Sequence, residues 1–192
     1  MKYDPTQKQP RGIERTMHAF GDAMFAKLAE KPFEKISVGE LCAQADYPRA
    51  TFYNYFDDKY DLVAFCWFQL SQYLHLPEVQ AQPSNSSLLE LFDQAYAIFA
   101  EHQPLLLAII EHNPLDSQLA TNFIAHFTGV VEALIKDRLR FTLTKTPPDL
   151  LAKHYSTTVL LILEWIFLGQ HTTTLEEAER YLTALLAPPT GA

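Results

Sequence analysis

Residues 36–63 read ISVGELCAQADYPRATFYNYFDDKYDLV, and the punctuation of this stretch decides the fold. Ser37-Val38-Gly39-Glu40 spells a capping box, a serine hydroxyl for an amide three residues on and a glutamate reaching back. Val38, Leu41, Cys42 and Ala45 follow at i, i+3, i+4 and i+7, which predicts a short helix from Val38 to Ala45. Asp46-Tyr47 reads as a turn, and Pro48 suits the first position of a third helix. Asp57-Asp58 then offers an N-cap to a fourth helix carrying Leu62, Phe65, Cys66 and Leu70 and ending near Leu76. Between those caps, Arg49 to Phe56 holds four aromatics with Arg, Thr and Asn, and no Leu, Ile or Val.

On a helix turning about 100° per residue, Phe52 and Phe56 share one face and close inward. Ala50, Thr51 and Asn54 lie opposite, flanked by Tyr53 and Tyr55, with Arg49 in the first turn. The outward face is therefore small at its centre, hydroxylated at its edges and basic at its start. A short helix, a tight turn and a helix with such a face make a helix-turn-helix, whose second helix enters the DNA major groove. Arg reads guanine O6 and N7, and a small apolar side chain meets a thymine methyl. Hydroxyls and helix N-terminal amides hold phosphates, the job for which Ser37 and Lys59 are placed. The competing reading is structural: short paired helices with aromatics occur in many all-α proteins, where the two tyrosines would cap a protein contact. Asp46, Asp57 and Asp58 also bring negative charge close to the proposed phosphate face, against the electrostatics of DNA binding.

Working outward, Ile13, Met17, Phe20, Met24 and Leu28 form one stripe of a helix from about Pro10 to Glu30, stopped at Lys31-Pro32-Phe33. Beyond the fourth helix, Pro77 to Ser86 is polar and rich in Pro and Ser, and reads as a linker. Ser87-Leu-Leu-Glu90 is a second capping box, opening a helix through Phe99. Pro104 starts a short apolar helix that Asn113-Pro114 ends, and a long helix runs from about Ser117 to Phe141. After Pro147-Pro148, a helix from Asp149 to about Leu168 stops at Gly169. Thr174-Leu-Glu-Glu177 is a third capping box for a last helix, Leu175 to about Leu186. The expectation is an all-α chain of about nine helices without a sheet.

The chain has 192 residues and a net charge of −8, of apolar content 48%, ordinary for a globular protein. The acidity is uneven: residues 1–70 carry 9 Lys and Arg against 10 Asp and Glu, and residues 71–192 carry 6 against 13. Lys2, Lys8, Arg11 and Arg15 cluster at the start. Such asymmetry suits a two-part molecule. Two cysteines, Cys42 and Cys66, sit in apolar helical patterns without metal spacing, as expected in a reduced cytoplasm. The opening MKYDPTQKQPRG lacks the apolar core of a signal peptide. The apolar run Val159–Leu168, broken by Glu164, is about half the ~20 residues a spanning helix needs, so no membrane role is expected.

The stretch 36–63, with the tract TFYNYF followed by Lys59 and Leu62 and an amphipathic helix before it, resembles the TetR/AcrR family of one-component transcriptional regulators. The resemblance covers about the first third of the chain. It implies a three-helix DNA-binding domain (residues 1–58), a connecting helix (59–76) and a helical sensing and dimerisation domain (77–192). By position, Arg49, Ala50 and Tyr53 match base-contacting residues of the family, and the outward Asn54 joins them as a candidate. Ser37, Thr51, Tyr55 and Lys59 match phosphate-contacting ones. Three departures stand out. Gly39 replaces a long base-reading side chain found in several members, Asp46 replaces a turn glycine, and Pro48 replaces a common serine.

The C-terminal segments LLILEWIFLG and TTLEEAERYLTALL are similar to the last two helices of such regulators. The helix around Leu160–Leu168 is apolar almost all round, which asks for burial on two sides, and a C2 homodimer through Leu161, Trp165, Leu168, Tyr181, Leu182 and Leu185 would supply the second. The alternative is a helix buried wholly within one subunit. Phe92, Tyr96, Phe99, Phe123, Phe127, Tyr155 and Trp165 are bulky enough to line an apolar effector pocket, though aromatics at helical spacing also serve as plain core. His102, His112 and His126 lack metal-ligand spacing. The function expected is a repressor that binds a near-palindromic operator as a dimer and is released by a small-molecule effector. The alternative is an activator or coactivator of the same fold whose C-terminal domain docks a protein. With no Gly-rich phosphate loop, metal-spaced cluster or Ser-His-Asp arrangement, neither enzymatic activity, cofactor nor metal is expected.

Overall fold

A computed structural model describes residues 10–73, 85–139 and 146–187. Within them run eight α-helices: α1 (Arg11–Leu28), α2 (Val38–Ala45), α3 (Arg49–Tyr55), α4 (Lys59–Tyr73), α5 (Asn85–His112), α6 (Gln118–Leu139), α7 (Pro148–Leu163) and α8 (Leu175–Leu186). A 3₁₀ turn, Phe33–Lys35, separates α1 from α2, and a π-helical segment, Glu164–Leu168, prolongs α7. No strand occurs among the described residues. The N-terminal Lys2 and Lys8, the linker at 77–84 and the proposed helix ends at Leu76 and Phe141 lie outside the described residues.

The caps read from sequence form as hydrogen bonds. Ser37 Oγ accepts from Glu40 N while Glu40 Oε2 accepts from Ser37 N at 2.9 Å. Thr174 and Glu177 repeat the arrangement at α8. Asp58 Oδ1 accepts from the amides of Tyr60 and Asp61. Four boundaries differ from expectation. α5 begins at Asn85, so Ser87 lies inside the helix and not at its start. Pro104 sits within that one continuous helix and does not start a new one; a proline removes a single amide donor, and the apolar residues on both sides carry the helix through. Pro48 is the N-cap of α3, one residue outside the helix. Finally, Gly169 is right-handed (φ −74°) and the left-handed residue is Gln170 (φ 54°). Gly169 is required by space, since a Cβ there would press on the Trp165 carbonyl and the His171 ring.

The chain forms two compact units. One comprises Met1–Gln72 with Pro104–Thr121, and the other Tyr73–Gln103 with Asn122–Ala192. Contact therefore groups the end of α5 and the start of α6 with the N-terminal helices, across the linear division at 76. Asn113 is the reason. It is 2% exposed. Its Oδ1 accepts from Phe33 N at 2.8 Å, and its Nδ2 donates to the carbonyls of Leu28 and Ile109 at 3.1 and 3.0 Å. One amide thereby ties the α1-to-3₁₀ turn to the end of α5, and satisfies groups that burial would otherwise leave without partners.

The core of this first unit is the α1 stripe of Met17, Phe20, Met24 and Leu28 against Leu41, Phe52, Phe56, Leu62 and Cys66, all buried. Phe20 meets Phe52 and Phe56 edge-on, at 5.3 and 6.1 Å between centroids, the arrangement that opposes ring edge to ring face. In the second unit α7 buries Ser156, Val159, Ile162 and Leu163, and Ile166 and Phe167 of the π segment continue that face. By length and composition alone, Asp149–Leu168 would be long and apolar enough to cross a membrane; its buried face makes it equally a core helix.

Candidate nucleic-acid interface

The outward face of α3 depends on the inward anchoring of Phe52 and Phe56, both 0% exposed. Their four-residue spacing puts both rings under the helix and leaves the other side outward. Arg49, Ala50, Tyr53 and Asn54 are exposed, and Thr51 and Tyr55 half-buried. Tyr53 stands edge-on to Phe52 at 5.4 Å and Tyr55 lies 6.5 Å from Phe56, so each tyrosine is braced by a core ring while its own ring reaches outward. The four expected base-contacting residues are thus on one exposed face.

The turn before α3 is set by Asp46, which is left-handed (φ 58°, ψ 43°). Aspartate tolerates that region better than most side chains, and the amides of Asp46 and Tyr47 both return to the Cys42 carbonyl. Tyr47 then folds its ring onto Phe20 at 5.6 Å, which fixes α3 relative to α1.

The phosphate-side candidates are more committed than their positions in sequence suggest. Ser37 is exposed, but its hydroxyl donates to Glu40 Oε2 at 2.8 Å and accepts from Glu40 N. Glu40 is further bound by the Lys31 ammonium; that contact, with the Ser37 amide and hydroxyl, holds its carboxyl down at about 2. Lys59 donates to three carbonyls, Phe33, Glu34 and Ile36, at 2.8, 2.9 and 3.0 Å. Its ammonium also lies 4.6 Å from the Phe33 ring centre. An ammonium has three N–H donors, and all three are used. Burial lowers the Lys59 pKa, with Glu34 and Asp58 opposing. Lys59 therefore fastens the 3₁₀ turn in front of α2, and would reach a phosphate only by releasing a carbonyl. Thr51 and Tyr55 stand half-buried beside the exposed row.

In the C-terminal unit the expected effector-lining aromatics fall into separate groups. Phe92, Tyr96, Phe99 and Phe167 form one cluster, with Tyr96–Phe167 at 5.0 Å and Phe99–Phe167 at 5.7 Å. Phe123 and Phe127 pair at 4.5 Å. Tyr155 is half-buried. The Tyr96 hydroxyl donates to the Thr173 carbonyl at 2.7 Å. Trp165 was expected in both the pocket and the dimer face, and it is exposed, stacked on His171 at 3.8 Å and edge-on to Tyr181. Its place is the outward row of Leu161, Trp165, Tyr181 and Leu185, all exposed, with Leu168 half-buried. Leu182, expected in that row, is 1% exposed: α8 turns it into the unit's own core beside Ala178, which removes it from any surface contact. Sequence reading gave Asn113 only as part of a helix stop and missed its contacts. A buried amide cap looks like any loop asparagine until its partners 80 residues away are known. No group of three possible metal ligands occurs among the described residues.

Residues 22–65 match the model of a family described as bacterial regulatory proteins, tetR family. No curated protein matches the sequence. Solved structures share the fold over almost the whole chain. A protein described as a transcriptional regulator from Pseudomonas aeruginosa PAO1 is 18% identical, with 96% of this chain and 93% of that one covered and a TM-score of 0.70. A TetR-family protein from Syntrophomonas wolfei is 16% identical over 90% and 93%, with a TM-score of 0.67. The regulator FadR from Bacillus subtilis, solved in complex with stearoyl-CoA, is 14% identical over 88% and 97%, with a TM-score of 0.65.

Proposed function

We propose that the chain is a TetR-family transcriptional regulator, the family whose model residues 22–65 match, and that it acts in the cytoplasm as a repressor, binding a near-palindromic operator as a homodimer. Each subunit places α3 in a major groove, the two grooves about one helical turn apart. Arg49, Ala50, Tyr53 and Asn54 read base edges. Thr51, Tyr55 and Ser37 contact phosphates, and Lys59 adds its charge at the start of α4. The observation that carries this reading is the split of one seven-residue helix into a buried Phe52 and an exposed row of Arg49, Ala50, Tyr53 and Asn54.

A small-molecule effector held by the C-terminal unit releases the operator through its better fit to a conformation with the wrong spacing of reading heads. Long-chain acyl-CoA is the first compound to test, because the Bacillus subtilis neighbour holds stearoyl-CoA. The exposed row Leu161, Trp165, Tyr181 and Leu185 is the homodimer face. It would equally seat another protein, which is the competing reading of an activator or coactivator.

The test is selection of duplexes from a randomised library, followed by binding measurements. Arg49→Ala should weaken the selected duplex by about 1–3 kcal/mol and random DNA by much less. Equal losses on both would remove Arg49 from the base-reading set. Stearoyl-CoA should release the selected duplex, and unchanged binding at saturating acyl-CoA would exclude that effector.

A further inference from the structure

Gly39 occupies the second position of α2, inside a helix whose other residues are ordinary helix formers. Glycine weakens a helix relative to alanine, and the backbone here is right-handed helix, so no turn asks for it. Space does. A Cβ at Gly39 would lie 2.5 Å from Arg49 Nη2, 3.3 Å from Cζ and 3.5 Å from Nε. All three nearest atoms belong to one guanidinium. The arginine that opens α3 thus lies back across the first turn of α2, over the place where a side chain would stand. Burial pushes the thiol of Cys42, one turn further along α2, up, and the Arg49 charge opposes that shift.

A guanidinium is a planar fork whose value in reading guanine lies in its direction. Unsupported at the start of a helix, such a side chain would sample many rotamers. Seated on the bare backbone of Gly39, it is aimed. We infer that Gly39 is a specificity-determining residue of the reading head, because its missing side chain is the seat that directs the Arg49 guanidinium toward one base pair of the half-site. This rests on the proposal that α3 enters the major groove. Arg49 then makes the contact, and Gly39 acts through it as a positioning residue. It follows that one arginine serves the groove from the edge of α2, where an alanine in place of Gly39 would make its guanidinium shift to another position.

The experiment uses the full chain as wild type, Gly39→Ala, Arg49→Ala and the double variant. Each is put through selection from a randomised duplex library. Each is then measured against the wild-type selected duplex and a scrambled one by fluorescence anisotropy. Wild type should enrich a motif with one base strongly preferred in each half-site, and Arg49→Ala should lose that preference. Gly39→Ala should redistribute the preference at that same position and bind the selected duplex on the order of tenfold more weakly, with the scrambled duplex unchanged. In the Arg49→Ala background, Gly39→Ala should add nothing. Alanine favours the helix, so loss of fold is not the expected obstacle, and circular dichroism checks it.

The inference is overturned by a Gly39→Ala motif identical to wild type, by an equal loss on the scrambled duplex, or by a Gly39→Ala effect that persists without Arg49. It is also overturned if the motif survives Arg49→Ala. A wild-type chain that enriches no motif would remove the operator reading itself, and the role of Gly39 with it.

Discussion

In the N-terminal unit Phe20, Phe52 and Phe56 are 0% exposed and pack edge-on into a closed cluster. In the C-terminal unit Trp165 and Tyr181 also meet edge-on, at 5.9 Å, but stand 45% and 40% exposed. The ring contacts are alike and their surroundings differ. In the first cluster the rings are the solid base from which a polar face is presented. In the second, with Leu161 and Leu185 beside them, they are themselves the presented face. Aromatic spacing in a sequence therefore says that rings will meet, while burial decides whether they support a surface or form one.

Four substitutions would break or sharpen this contrast. The largest effect is expected at Phe52→Ala, which should cost the N-terminal unit about 3–5 kcal/mol in denaturant unfolding, as for other buried aromatics. Trp165→Arg makes the counterpart. It should leave unfolding of the subunit nearly unchanged while shifting sedimentation toward monomer, and a persisting dimer would move the interface elsewhere. Asn113→Ala comes next, at about 2–3 kcal/mol, because the Phe33 amide and the Leu28 carbonyl lose their partner in a buried place. A loss well below 1 kcal/mol would mean that water replaces the amide.

The smallest effect is a pH dependence. The Glu40 carboxyl is held down at about 2. A depressed carboxyl stabilises the fold above its unfolded pKa, near the ordinary glutamate value of about 4.3. That contribution is lost as pH falls through about 2. Glu40→Gln should therefore flatten the decline of thermal stability between those two limits and change little near neutrality. An undiminished acid decline in the variant would assign it to other carboxylates.

Much of the α2–α3 segment was legible because its determinants are local. The Ser37–Glu40 box, the left-handed Asp46, the Asp58 cap and the inward Phe52–Phe56 pair each involve residues within four positions of one another. Hydrogen-bond reach and helical periodicity settle such features without the rest of the chain. Lys59 shows where that stops. Its place in the sequence suits a phosphate, yet its donors go to Phe33, Glu34 and Ile36, more than 20 residues earlier. Pro104 shows the same limit from the other side, since local rules end a helix there and α5 runs on through it.

By itself, then, the sequence determined an all-helical fold with an α3 that is polar outside and aromatic inside, because caps and periodicity act over a few residues. Only the tertiary structure decided that Asn113 fastens the end of α5 to the N-terminal unit, that Leu182 is core and Trp165 is surface, and that the Arg49 guanidinium lies on Gly39. Each of these depends on which residues far apart in the chain share a neighbourhood, and no spacing along the chain encodes that.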